Sequence, residues 1–188
     1  MFTTRTSIVR RTVAGALALA GIAGLSGVVD AGEPVRDDRL TSTERRTVHQ
    51  ATKQFRDLDV ALAAGYVPAG ECASHPELGG MGYHYLHPAL AGDTTVDPTM
   101  PEILVYVPGD DGLKLGAVEW FVADADQNLD TDDDRPTLFD RLPFDGPMPG
   151  HEPGMPVHYD LHVWLYDHNP AGQLAPFNPK VICPTGDL

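Results

Sequence analysis

Near its C-terminal end the chain reads His158-Tyr159-Asp160-Leu161-His162-Val163-Trp164-Leu165-Tyr166. Polar and apolar residues alternate, the period of a β-strand whose two faces differ. Successive side chains of a strand point to opposite faces. Tyr159, Leu161, Val163 and Leu165 therefore form a core face, and His158, Asp160, His162 and Trp164 share the other. Two imidazoles and a carboxylate in a row on a rigid element suit metal ligation or general acid/base chemistry. His158 and His162 lie about 13 Å apart along an extended strand, at about 3.3 Å per residue. One ion would take His162, flanked by Leu161 and Val163, with His158 a fourth ligand if the strand bends and a neighbour if it does not.

Two further residues complete a ligand set. In Leu113–Val122 the positions Leu113, Leu115, Ala117, Glu119 and Phe121 fall on one face, so Glu119 is a carboxylate in an apolar row. An unpaired buried carboxylate costs several kcal/mol, so it must be neutral, paired or metal-bound. Pairing with Arg135 or Arg141, or a place at the sheet edge, would also satisfy it. His84 lies on the face of a short strand, Met81–Leu86, opposite to Tyr83 and Tyr85. His84, Glu119 and His162, joined by His158, would hold a divalent metal ion: a two-histidine, one-carboxylate set suits Zn, Fe or Mn. Met81, Met148, Met155 and His151 add Cu to that list. Asp160 would be a ligand or an acceptor that fixes an imidazole tautomer. The competing readings are hydrogen-bonded histidines on an exposed polar face, methionines that simply pack, and a metal-free acid/base or ligand pocket.

These residues need elements to hold them. Thr41-Ser42-Thr43-Glu44 is a capping box. Val48, Ala51, Phe55, Leu58 and Leu62 follow at helical spacing, and Gly65 and Pro68 stop the run. The pattern predicts one helix over Ser42–Ala64. Glu71–Gly80 reads as a loop carrying Cys72 and His75. Glu102–Val107 and Leu113–Val122 form a hairpin with a longer loop at Pro108–Gly112. Asp124–Asp134 imitates the first half of a calcium-binding EF-hand loop, but Leu129 stands where Gly is needed and Arg135 where the bidentate Glu belongs. A solvated acidic loop is the favoured reading. Pro136–Pro156, rich in Pro and Gly, excludes a regular element and predicts a stiff loop draped over the site. The expected fold class is α+β: one long N-terminal helix packed on a mostly antiparallel β-sheet, with long Pro/Gly-rich loops.

The chain begins with Arg5, Arg10 and Arg11, an Ala/Gly/Leu/Val run from Val13 to Val29, and a small-residue site at Val29-Asp30-Ala31. That is the layout of a signal peptide over residues 1–31, exported by the Sec or Tat route, with a single secreted domain over 32–188. A membrane anchor is the alternative reading of the same run. The formal net charge is −14, which disfavours nucleic acid and anionic lipid as partners. Cys72 and Cys183, the only two cysteines, most simply form a disulfide outside the cytoplasm, with two free thiols serving as metal ligands the alternative reading.

The motifs Gly80-Met81-Gly82-Tyr83-His84-Tyr85, Pro101-Glu102-Ile103-Leu104-Val105-Tyr106, Val118-Glu119-Trp120, Phe144-Asp145-Gly146-Pro147, His158–Trp164 and Asn169-Pro170 resemble those of a family of uncharacterised exported bacterial proteins. The resemblance spans about Ser42 to Pro184. It implies export and supports the segmentation, and it carries no activity. No GxSxG, HExxH, Walker or haem-attachment motif is present, so hydrolases and ATPases of those kinds are unsupported. The sequence thus points to a secreted metal-binding protein, either a metalloenzyme or a carrier. A metal-free small-ligand-binding or structural domain is the alternative.

Overall fold

Most strand-forming stretches between Val67 and Trp164 fold into one antiparallel sheet, seen in a computed structural model that describes residues 39–152 and 154–184. The strands are β1 (Val67–His75), β2 (Gly79–Leu86), β3 (Ile103–Gly109), β4 (Gly112–Ala123), β5 (Thr137–Leu138), β6 (Leu142–Pro143), β7 (Asp145–Met148) and β8 (His158–Trp164). Six of them pair in the order β1-β2-β3-β4-β8-β7, and β5 and β6 form a separate two-stranded hairpin. The six-stranded sheet curls into a half-barrel. The expected signal peptide lies outside the described residues.

The long N-terminal helix of the α+β expectation is absent, and the fold is mainly β. The capping box forms: Thr41 Oγ1 accepts from the Glu44 amide, and Glu44 Oε2 accepts from the Thr41 amide at 2.7 Å. The helix it starts, α1 (Ser42–Thr52), ends after 11 residues and passes into a 3-10 turn over Lys53–Arg56. Asp57 leaves the helical region (φ −92°, ψ 114°) and its carboxylate caps a second helix, α2 (Leu58–Ala63), by accepting from the Asp59 amide. Asp favours capping its own downstream amides over an interior helical position, and here that preference wins. The break shifts the phase of the apolar stripe: Val48, Phe55 and Ala61 are buried, and Leu62 is exposed.

Both faces of the sheet are covered. One face carries Leu104, Tyr106, Val118, Trp120, Tyr159, Leu161 and Val163 against the helical segment and against Leu138, Leu142 and Phe144. The polar atoms of its large aromatics are satisfied: Tyr106 donates to Phe55 O at 2.6 Å, and Trp120 Nε1 donates to Asp97 O at 2.8 Å. The other face carries a smaller apolar cluster of Ile103, Val105, Val107, Ala117, Phe121 and Trp164.

A bulge in β4 separates the two sets. The β3–β4 register passes from Val105 opposite Ala117 to Tyr106 opposite Leu115, so Gly116 is the extra residue. Leu115 therefore packs in the first cluster while Ala117 packs in the second. The single apolar row from Leu113 to Phe121 read from strict alternation is broken there, because a bulge resets the two-residue period. The hairpin turn is also tighter than expected. Gly109 pairs with Gly112, which leaves Asp110 and Asp111 as a two-residue turn.

Two other segments differ from the reading. The expected loop Glu71–Gly80 is largely strand: its first residues belong to β1 and its last two to β2, and β1 is an edge strand whose Pro, Gly and Cys residues give no periodic signal. The Pro136–Pro156 stretch contains β5, β6 and β7, the last pairing with the first residues of β8.

Gly82 shows how tightly β2 is laid on β3. Its φ is +117°, and a Cβ there would sit 2.5 Å from Tyr106 O. Gly82→Ala is expected to cost about 2–3 kcal/mol from backbone strain and the clash, lowering Tm by roughly 5–10 °C. A thermal melt within about 2 °C of the parent would show that the strand adjusts freely.

Candidate metal centre

β2, β4 and β8 bring three side chains together on the second face. Glu119 of β4 is directly opposite His162 of β8 in the antiparallel register. His84 lies on β2, one strand beyond β3, and pairs with Val105. Its imidazole reaches over β3 to the same carboxylate. Glu119 Oε2 lies 3.2 Å from His162 Nε2 and 3.3 Å from His84 Nε2. Ligand atoms from all three residues lie within 4.8 Å of one another.

Burial is deep at this point. The side chains of Glu119 and His162 retain 4% and 2% of their exposure, and that of His84 16%. The polar face of β8 is thus not a solvent face, and His158 and Asp160 are buried with it. Neither arginine weighed as a partner reaches Glu119 among the described contacts. Arg135 binds Asp132 and the carbonyls of Phe144 and Gly146, and Arg141 binds Glu44.

The contacts within the triad have hydrogen-bond length but not hydrogen-bond alignment. Glu119 Oε2 and both ring nitrogens of His162 are buried without an aligned partner. Buried polar atoms are nearly always paired, so two orphaned atoms that face each other, Glu119 Oε2 and His162 Nε2, require an explanation. A shared cation provides one. Two ligand atoms each about 2.0–2.1 Å from a tetrahedral ion stand about 3.3–3.4 Å apart, the spacing between Glu119 and each histidine. The fit is in the chemistry of the donors as well: two imidazole nitrogens and one carboxylate oxygen.

His158 lies outside this group. Its Nδ1 donates to Pro156 O at 3.1 Å, its ring packs on Phe121, and its Nε2 faces Asp160 Oδ2 at 3.7 Å. Asp160 stands between the two β8 histidines, with Oδ1 3.9 Å from His162 Nδ1. That is the side of the ring away from Glu119, where a group orienting a ligand imidazole would stand.

The triad opens into a cavity of about 490 Å³. Its apolar wall includes Ala69, Ala73, Leu86, Ile103 and Phe121. The Pro-rich stretch closes another side with His151, Glu152, Gly154, Met155 and Pro156, so it does lie over the site. Met81 and Met155 line the cavity. The β1 residues were missed in the sequence because an edge strand of small residues carries no alternation to read.

The acidic loop spends its carboxylates on its own backbone. Asp124 Oδ2 and Asp126 Oδ1 accept from the Asn128 amide, and Asp134 Oδ2 accepts from Ala125.

Two buried groups make the metal-free protein sensitive to pH. Burial alone would push the His162 imidazole down, but the Glu119 carboxylate outweighs it and pushes the pKa up to about 9. The same attraction, from His162 and His84, holds Glu119 below the usual carboxylate range against the effect of its burial. Glu102, which accepts from the Phe121 amide at 3.0 Å, is pushed up to about 7 by burial. Nothing in the sequence marked it beyond its place before the apolar run Ile103–Val107. For both raised groups the folded chain holds a proton that the unfolded chain releases earlier. Their stabilisation is complete below the unfolded pKa and is lost as pH rises through the folded one. Metal-free protein should therefore lose stability between about pH 4.5 and 9. Glu102→Gln should remove the part between about pH 4.5 and 7, on the order of 3 kcal/mol. Urea midpoints measured across this range check it, and an unchanged slope in the variant would contradict it.

No protein-family model matches the chain, and neither a curated protein nor a solved structure shows detectable similarity to it. The class defined by fold and site is a disulfide-bonded antiparallel half-barrel with a buried His/His/Glu cluster beside a cavity.

Proposed function

We propose that this is an exported metal-binding protein in which His84, Glu119 and His162 hold one divalent cation whose remaining coordination positions face the cavity. The observation that carries the reading is the convergence of two imidazole nitrogens on one buried carboxylate oxygen without hydrogen-bond alignment. The cavity beside it favours a metalloenzyme over a carrier: a carrier site needs no room for a second molecule, and this one adjoins space for a small organic ligand. The nitrogen–oxygen donor set suits Zn, Fe or Mn, and the methionines on the cavity wall keep Cu on the list. The Cys72–Cys183 disulfide is consistent with an extracytoplasmic setting, and no helix among the described residues is long and apolar enough to cross a membrane.

Elemental analysis tests the proposal on protein purified without chelator or affinity histidines, beside His162→Ala. Near-stoichiometric metal in the parent and its loss in the variant are expected, and the analysis names the ion. No metal in either protein after reconstitution would overturn the reading. The cavity would then belong to a metal-free ligand-binding domain.

A further inference from the structure

Across the sheet from the triad lies a second cleft, of about 880 Å³. One wall is the helical segment, with Arg45, His49, Lys53 and Arg56. The other is the start of β4 with Lys114, and the floor includes Leu115, Leu165 and Tyr166. Arg45, Lys53, Arg56 and Lys114 are nearly half of the basic side chains among the described residues, gathered at one place in a chain of net charge −14. The cleft has one carboxylate, Asp57, and that one is engaged in capping α2.

Arg45, His49 and Lys53 follow at four-residue spacing and Arg56 three residues later, so all lie along one side of the helical segment. Lys114 is paired, with Asp167 at 3.0 Å, and Arg45 donates to Leu165 O at 3.3 Å. Lys53 and Arg56, both exposed, have no carboxylate partner among the described residues although acidic side chains outnumber basic ones two to one in the whole chain. Next to them, the Tyr166 hydroxyl and the Thr52 hydroxyl share a hydrogen bond of 2.8 Å, and the Tyr166 ring stacks on His49 at 5.5 Å. Lys53 and Arg56 thus stand in the cleft beside a tyrosine held by its hydroxyl and its ring.

We infer that this cleft binds a small polyanion, a molecule bearing two or more phosphate or carboxylate groups. The Lys53 ammonium and Arg56 guanidinium on one wall match such a ligand, with Lys114 on the other, because charge-assisted hydrogen bonds are the strong ones and Arg engages planar anionic groups in pairs. The overall negative charge of the chain repels anions elsewhere, so the cleft also selects where an anion lands. This site does not depend on the metal reading. Its residues contact the first apolar cluster, whereas the triad lies on the second face.

The test is calorimetric titration of the full-length protein with pyrophosphate, citrate and acetate. Both polyanions are expected to bind at least about tenfold more tightly than acetate, and to weaken with added salt. Tighter binding of pyrophosphate would assign a phosphate ligand, and tighter binding of citrate a carboxylate one. The exposed-site variant Lys53→Gln/Arg56→Gln should lose at least about tenfold in affinity with an unchanged melting temperature. His162→Ala should bind as the parent does, which separates this cleft from any anion attached to a metal in the triad. The inference is overturned if neither polyanion binds, if the double variant binds as well as the parent, or if binding disappears in His162→Ala.

Discussion

Glu119→Gln is expected to lower the affinity for a divalent cation by at least about 100-fold, because loss of an outer-shell partner alone costs about 10–100-fold. Here the lost group is the one anionic donor of the three. The variant keeps the size and shape of the side chain, so the sheet and cavity should be preserved and the loss read as chemistry rather than unfolding. The metal-free protein offers a second readout. In the parent, His162 titrates near 9 because the carboxylate overcomes the effect of burial. In the variant burial acts with less opposition, and the titration should move down toward or below its ordinary value of about 6.5. Metal titration and NMR of the imidazole resonances measure the two effects separately. Equal metal affinity in parent and variant would remove Glu119 from the centre. A His162 that still titrates in alkaline solution would assign its field to Asp160 and Asp145, which also raise it.

Breaking the disulfide should produce the largest loss of stability. Cys72 and Cys183 are 111 residues apart in sequence, and closing a loop of that length stabilises by about 4–5 kcal/mol when reckoned from the entropy of the unfolded chain. Cys72→Ser/Cys183→Ser is expected to lower Tm by roughly 10–18 °C. The effect should be felt first at the cavity. Cys72 lies on β1, the edge strand that pairs only with β2, between the cavity-lining residues Glu71 and Ala73. Hydrogen exchange should show β1 opening in the variant while β4 and β8, paired on both sides and buried, stay protected. A melt lowered by less than about 3 °C would mean that the C-terminal segment is held by its other contacts. Among these are the paired backbone hydrogen bonds between Gly80 and Asn178, and Val181 on Gly80.

Much of the candidate centre could be read from single strands. Alternation in His158–Trp164 separates Tyr159, Leu161 and Val163 from His158, Asp160 and His162, and the structure keeps that division. The anomaly of Glu119 in an apolar row is equally local, since the cost of an isolated buried carboxylate is a property of one residue and its neighbours. The capping box at Thr41 and the pairing of the only two cysteines belong to the same kind of information.

The rest depended on contacts between distant segments. Whether His84 could reach Glu119 was decided by the strand order, which places β3 between them, and by the register that sets Glu119 opposite His162. No period within one strand encodes either. The separation of His158 from the triad followed from the register, which sets it opposite Ala123, four residues along β4 from Glu119. The helix was misjudged because its spacing was read through Asp57. A capping carboxylate and tertiary burial of Phe55 and Ala61 outweighed a regular apolar stripe. The sequence by itself thus determined which groups could do chemistry and which face each would take. Only the tertiary structure decided which of them meet and what closes over them, because a side chain's neighbours across a sheet are chosen by non-local pairing and not by its own segment.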